Sequence, residues 1–60
     1  MSTETIFNTY MWEWSNKTIS IRTFRGQNVA VEKALSYFPG DEEAANYINT
    51  TDPVITTDIQ

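Results

Sequence analysis

Cysteine and histidine are both missing from this 60-residue chain. Disulfide staples are therefore impossible, and thiolate or imidazole metal sites are excluded. The commonest acid–base and nucleophile sets also depend on these two residue types. Glycine is scarce as well. Gly26 and Gly40 stand alone, and neither belongs to a glycine-rich phosphate loop. Glu42 and Glu43 are adjacent and would point apart on a helix, which makes a poor catalytic pair. An oxygen-only Ca²⁺ loop needs acids at alternate positions. The stretch DEEAANYINTTD at 41–52 does not have that spacing. The expectation is a non-enzymatic chain with no catalytic residue, no metal and no cofactor.

Long apolar runs are absent too. None approaches the ~20 residues of a membrane span. The opening MSTETIFN lacks the basic and apolar segments of a signal peptide. A soluble, cytoplasmic protein is expected, with no membrane partner, and NKT (16–18) and NTT (49–51) then match the glycosylation pattern by chance. Cations are few: 4 Lys+Arg against 8 Asp+Glu, for a net charge of −4. The imbalance is uneven. Residues 1–31 hold Glu4 and Glu13 against Lys17, Arg22 and Arg25, a net of +1, whereas residues 32–60 hold six acids against Lys33, a net of −5. An acidic half of this kind disfavours phosphate backbones and favours basic partners.

What is present is aromatic and periodic. Sixty residues make one small domain, 1–60, that buries only about 60% of its unfolded surface, so its core must be dense. Residues 1–4 are expected to fray. TIFNTYMWEW (5–14) is rich in β-branched and aromatic residues and predicts a strand. SNK supplies turn chemistry, and TISIRTFR (18–25) alternates with period two. RGQN breaks the second strand, and Asn28 is a good helix N-cap. From Val29 the period becomes 3.6. Val31, Ala34, Leu35 and Phe38 form one apolar stripe over a helix at 29–38, which ends at Pro39-Gly40. Asp41 can cap a short second helix, 41–49, with Glu42 and Glu43 in its first turn, where the dipole favours anions. VITTDIQ (54–60) predicts a last strand, with Ile55 and Ile59 on one face. The fold class is α+β: a three-stranded sheet, made of an N-terminal antiparallel hairpin plus the C-terminal strand, packed on one face by a helix and a short second helix in the order ββααβ.

The hairpin register decides which way the tryptophans face. A turn at Asn16-Lys17, or a four-residue loop from Ser15 to Thr18, sets Trp14 opposite Ile19, Trp12 opposite Ile21 and Tyr10 opposite Thr23. These six side chains then share one face, under the helical stripe. A one-residue slip would scramble that separation. Leu35 is expected in this core, where truncation to Ala costs roughly 2–5 kcal/mol. The opposite face carries Phe7, Thr9, Met11, Arg22 and Phe24. Exposed Phe and Met beside Arg match the residue types enriched at interfaces. The expected partner-binding set is thus Phe7, Met11, Arg22 and Phe24, with Asp41, Glu42, Glu43 and Asp52 steering toward a basic patch on a larger protein. The alternative is a structural or accessory subunit that acts as a homo-oligomer, such as a homodimer, through the exposed sheet face or an edge strand. Stacking of single-stranded nucleic acid on the aromatics is disfavoured by the charge.

The layout of ISIRTFRGQNVAVEKALSYF followed by VITTDIQ resembles the small RNA polymerase inhibitor made by some lytic bacteriophages, over about residues 10–60. In that family the last strand carries arginines that engage the polymerase. Here the last strand carries Asp58 and no arginine, so that target does not transfer. The resemblance implies a tiny acidic domain that modulates a larger host protein by binding it.

Overall fold

The computed structural model describes residues 4–59, so the expected fraying of residues 1–4 lies outside the described residues except for Glu4. The elements run β1 (Ile6–Trp14), β2 (Lys17–Thr23), α1 (Gln27–Leu35), α2 (Glu42–Thr50) and β3 (Val54–Ile59). This is the ββααβ order. The sheet is antiparallel, in the order β2-β1-β3, which makes β1 the central strand. β1 is the longest strand, and its Tyr and Trp side chains give it the most apolar surface to bury.

The hairpin turns one residue earlier than the expected Asn16-Lys17 turn. Its loop is Ser15-Asn16, flanked by the pair Trp14 and Lys17, and Ser15 sits at φ 50°. Positive φ at the first loop position is the feature of turns whose twist matches the flanking strands. The register is accordingly shifted by two residues. Trp12 lies opposite Ile19, Tyr10 opposite Ile21 and Asn8 opposite Thr23, in place of the expected partners. Side chains alternate with period two, so a shift of two changes every partner and leaves every face unchanged. Tyr10, Trp12, Trp14, Ile21 and Thr23 are all buried on one side.

α1 begins earlier than expected and ends earlier. Gly26, not Asn28, precedes it, at φ 100° and ψ 171°. That backbone region is open essentially to glycine alone. The Arg25 amide donates to Thr23 Oγ1 at 3.0 Å, which helps turn the chain out of β2. At the other end, the amides of Tyr37 and Phe38 donate to the carbonyls of Ala34 and Leu35, three residues back. The α-helix tightens here before Pro39-Gly40. Gly40 takes φ 78° in this turn. Asp41 caps α2 as expected, accepting from the Ala44 amide at 3.1 Å.

The centre of the helical stripe also differs. Ala30 and Ala34 are fully buried, while Val31, Leu35 and Phe38 pack around them half-buried. Alanine lets the α1 backbone approach the sheet closely, and the tryptophans fill the remaining volume. α2 adds Ala44 and Ile48 to the core. Trp12 Nε1 donates to the Thr51 carbonyl at 2.9 Å, and Tyr47 Oη donates to the Glu13 carbonyl at 2.8 Å. The Tyr47 ring stacks on Trp14 at 5.1 Å, and Phe38 meets Trp14 edge-on at 5.4 Å. Both helices therefore cluster over the hairpin end of the sheet. β3 and the start of β1 project beyond them, giving an elongated molecule of 46 × 17 × 16 Å. Among the described residues, no helix is long and apolar enough to cross a membrane.

Candidate binding surface

The face of the sheet turned away from the helices carries the surface proposed from sequence. The two-residue shift in register brings Phe24, just past the end of β2, beside Phe7, where an opposite Thr9 had been expected. The two rings meet edge-on with centroids 5.4 Å apart. Arg22 lies opposite Thr9 and lays its guanidinium over the Phe7 ring, 4.1 Å from the centroid. Such cation–π contacts contribute about 0.5–1 kcal/mol at exposed sites. The same guanidinium lies 3.5 Å from Asp58 Oδ2, across the sheet on β3. Arg22 is thereby held flat against the sheet, and Phe7 is half-buried beneath it. Phe24 remains 62% exposed. Glu4, Thr5, Ile6, Phe7 and Phe24 line a shallow recess at this end.

Met11 does not lie opposite Arg22 as expected. Its neighbours in register are Ser20 on β2 and Val54 on β3. Val54, 61% exposed, extends the apolar strip along this face. It was missed because the position of β3 in the sheet cannot be read from sequence. The pairing of Met11 with Val54 required β3 to sit beside β1, a long-range contact without local signal.

The acidic residues separate from this cluster. Asp41 lies beside Lys17 at the hairpin end, with Oδ2 3.1 Å from Lys17 Nζ. Its carboxyl is held below the usual carboxylate range, first by the Ala44 amide and then by Lys17. Asp41 is thus occupied in capping α2 and fastening it to the hairpin. Glu42 and Glu43 are exposed beside it. Phe7 and Phe24 lie toward the other end of β1, roughly 20 Å away at a rise of about 3.3 Å per residue. Asp52 is exposed past the far end of α2, about 15 Å from Asp41 at the helical rise. The structure brings Phe7, Arg22 and Phe24 together, and leaves Glu42 and Glu43 at one corner and Asp52 near the start of β3.

Among the described residues, no three Asp or Glu side chains gather in a group that could hold a metal ion. Comparison with protein-family models, curated proteins and solved structures finds no match.

Proposed function

We propose that this chain is a non-enzymatic protein-binding module that engages a larger partner through its helix-free sheet face. One observation carries the reading. Phe24 stands 62% exposed beside Phe7 and Arg22, on a face that neither helix covers. Intramolecular contacts already orient Phe7 and Arg22, so a partner meets a pre-formed patch and loses less entropy in ordering it. Aromatic and Arg side chains are the commonest binding hot spots. Glu42 and Glu43, at a separate corner, supply long-range steering toward a basic patch. In this reading the layout likeness to phage-made polymerase inhibitors extends to lifestyle: a modulator of a host protein in the cytoplasm. Self-association is the competing reading, and a solution mass of twice 6.9 kDa would favour it.

The test begins with the full chain, immobilised, capturing binders from a cell extract beside its Phe24→Ala variant. For a protein retained by the wild type, rates are then measured with purified components. Phe24→Ala should speed dissociation. Glu42→Lys combined with Glu43→Lys should slow association at low salt, with the difference shrinking as salt rises. Unchanged rates for both variants would refute this surface.

A further inference from the structure

We infer that the free edge of β3 receives an extended, cationic segment of the partner by strand addition; this rests on the protein-binding reading above and names a place of contact within it. A sheet edge offers unpaired N–H and C=O groups to any passing strand. Proteins guard such edges with Lys, Pro, bulges or a covering element. The two edges here differ in this respect. β2 carries Lys17 and Arg22 and packs against α1. β3, VITTDI, carries no Lys, Arg or Pro. Its pairing with β1 runs without a bulge from Ile6 opposite Ile59 to Met11 opposite Val54. Neither helix packs extensively against it. Val54 is 61% and Ile55 50% exposed, on opposite faces of the strand, so both faces of the edge lie open. Val54, Ile55, Thr56, Thr57 and Ile59 are all β-branched, the class that best fits a pleated surface. Strand addition to such an edge takes its affinity from main-chain hydrogen bonds and its specificity from alternate side chains.

Charge selects the occupant. Residues 34–60 contain Asp41, Glu42, Glu43, Asp52 and Asp58 and no Lys or Arg. A second copy would bring a further net charge of −4 to the junction. A cationic strand finds the reverse. Asp52 stands before the start of β3 and Glu4 precedes the end of β1 that pairs with Ile59, so an acid flanks each end of the edge, whereas Asp58 already faces Arg22. The fitting ligand is an extended segment that alternates Lys or Arg with β-branched residues.

The probe is a synthetic, end-blocked peptide alternating Lys with Val, titrated into the full chain labelled with ¹⁵N. Amide shifts and slowed hydrogen exchange are expected at Val54–Ile59. A matching peptide with Glu for Lys should not bind. A Lys–Val peptide N-methylated at alternate amides should bind several-fold more weakly, because it cannot complete the ladder. Ile55→Lys, at a half-exposed position that should tolerate the change, should also weaken binding several-fold. Shifts confined to Phe7, Arg22 and Phe24 or to residues 41–43 would overturn the edge assignment while leaving the protein-binding reading standing. Equal binding by the N-methylated peptide, or no shift at all, would overturn it too. So would peptide-free, concentration-dependent shifts in β3 with a doubled mass, which would make a second copy the occupant. Failure of the broader reading would appear separately, as unchanged rates both for Phe24→Ala and for Glu42→Lys combined with Glu43→Lys.

Discussion

The two tryptophans permit a controlled comparison, because both are buried and only one has a hydrogen-bond partner. Trp12 Nε1 donates to the Thr51 carbonyl at 2.9 Å. Trp14 Nε1 is buried with no partner among the described residues. Replacement of either by Phe removes similar apolar volume from the same cluster, so those losses largely cancel in the comparison. What differs is the polar contribution. Trp12→Phe leaves the Thr51 carbonyl without its donor, and a deserted buried group costs about 1–3 kcal/mol. Thr51 is only half-buried, so water partly re-solvates the carbonyl and the lower end, about 1 kcal/mol, applies. Trp14→Phe removes a donor that was unsatisfied from the start, and a Phe ring can keep contact with Tyr47 and Phe38. Trp12→Phe should therefore be the less stable variant by about 1 kcal/mol, or about 4–8 °C in melting temperature for a domain of this size. Thermal and urea melts followed by far-UV circular dichroism measure the gap. Equal melting temperatures, or a lower one for Trp14→Phe, would show that the Trp12–Thr51 hydrogen bond does not help to hold α2 on the sheet.

Three further outcomes follow from the packing and the charges. Leu35→Ala should cost about 1–2 kcal/mol, because Leu35 is half-buried and the 2–5 kcal/mol range belongs to fully buried sites; urea melts check this. Asp41 titrates below its usual range, so the ionised form favours the fold: its contribution is complete above the unfolded carboxyl's pKa and is lost as pH falls through the lower folded value. Asp41→Asn keeps a capping acceptor and loses the charge facing Lys17, so its melting temperature should lie below that of wild type at neutral pH and converge with it in strong acid. Phe24→Ala should change stability by no more than about 0.5 kcal/mol, as for other exposed sites away from the core; a larger loss would make Phe24 a structural residue and weaken its assignment as a contact.

By itself the sequence determined the element types and the faces. Period-two alternation in 5–25 and period 3.6 from Val29 onward specified two strands and a helix, because side-chain direction follows backbone geometry locally. Asp41 followed by Glu42 and Glu43 marked the second helix by the same local logic. The tryptophans and Tyr10 were assignable to the core because face depends only on parity, which the two-residue shift in register preserved. Phe7, Arg22 and Phe24 were placed together on the outer face for that reason, although their contacts with one another were not. Tertiary structure alone decided the partners. The tight Ser15-Asn16 loop set the register, and so put Phe24 beside Phe7 in place of Thr9. The depth of Ala30 and Ala34 depended on how α1 settles against the sheet. The site of β3 depended on pairing between positions about fifty residues apart, which no local period encodes. That pairing made β1 central, set Val54 beside Met11, and left one strand edge of an acidic protein open.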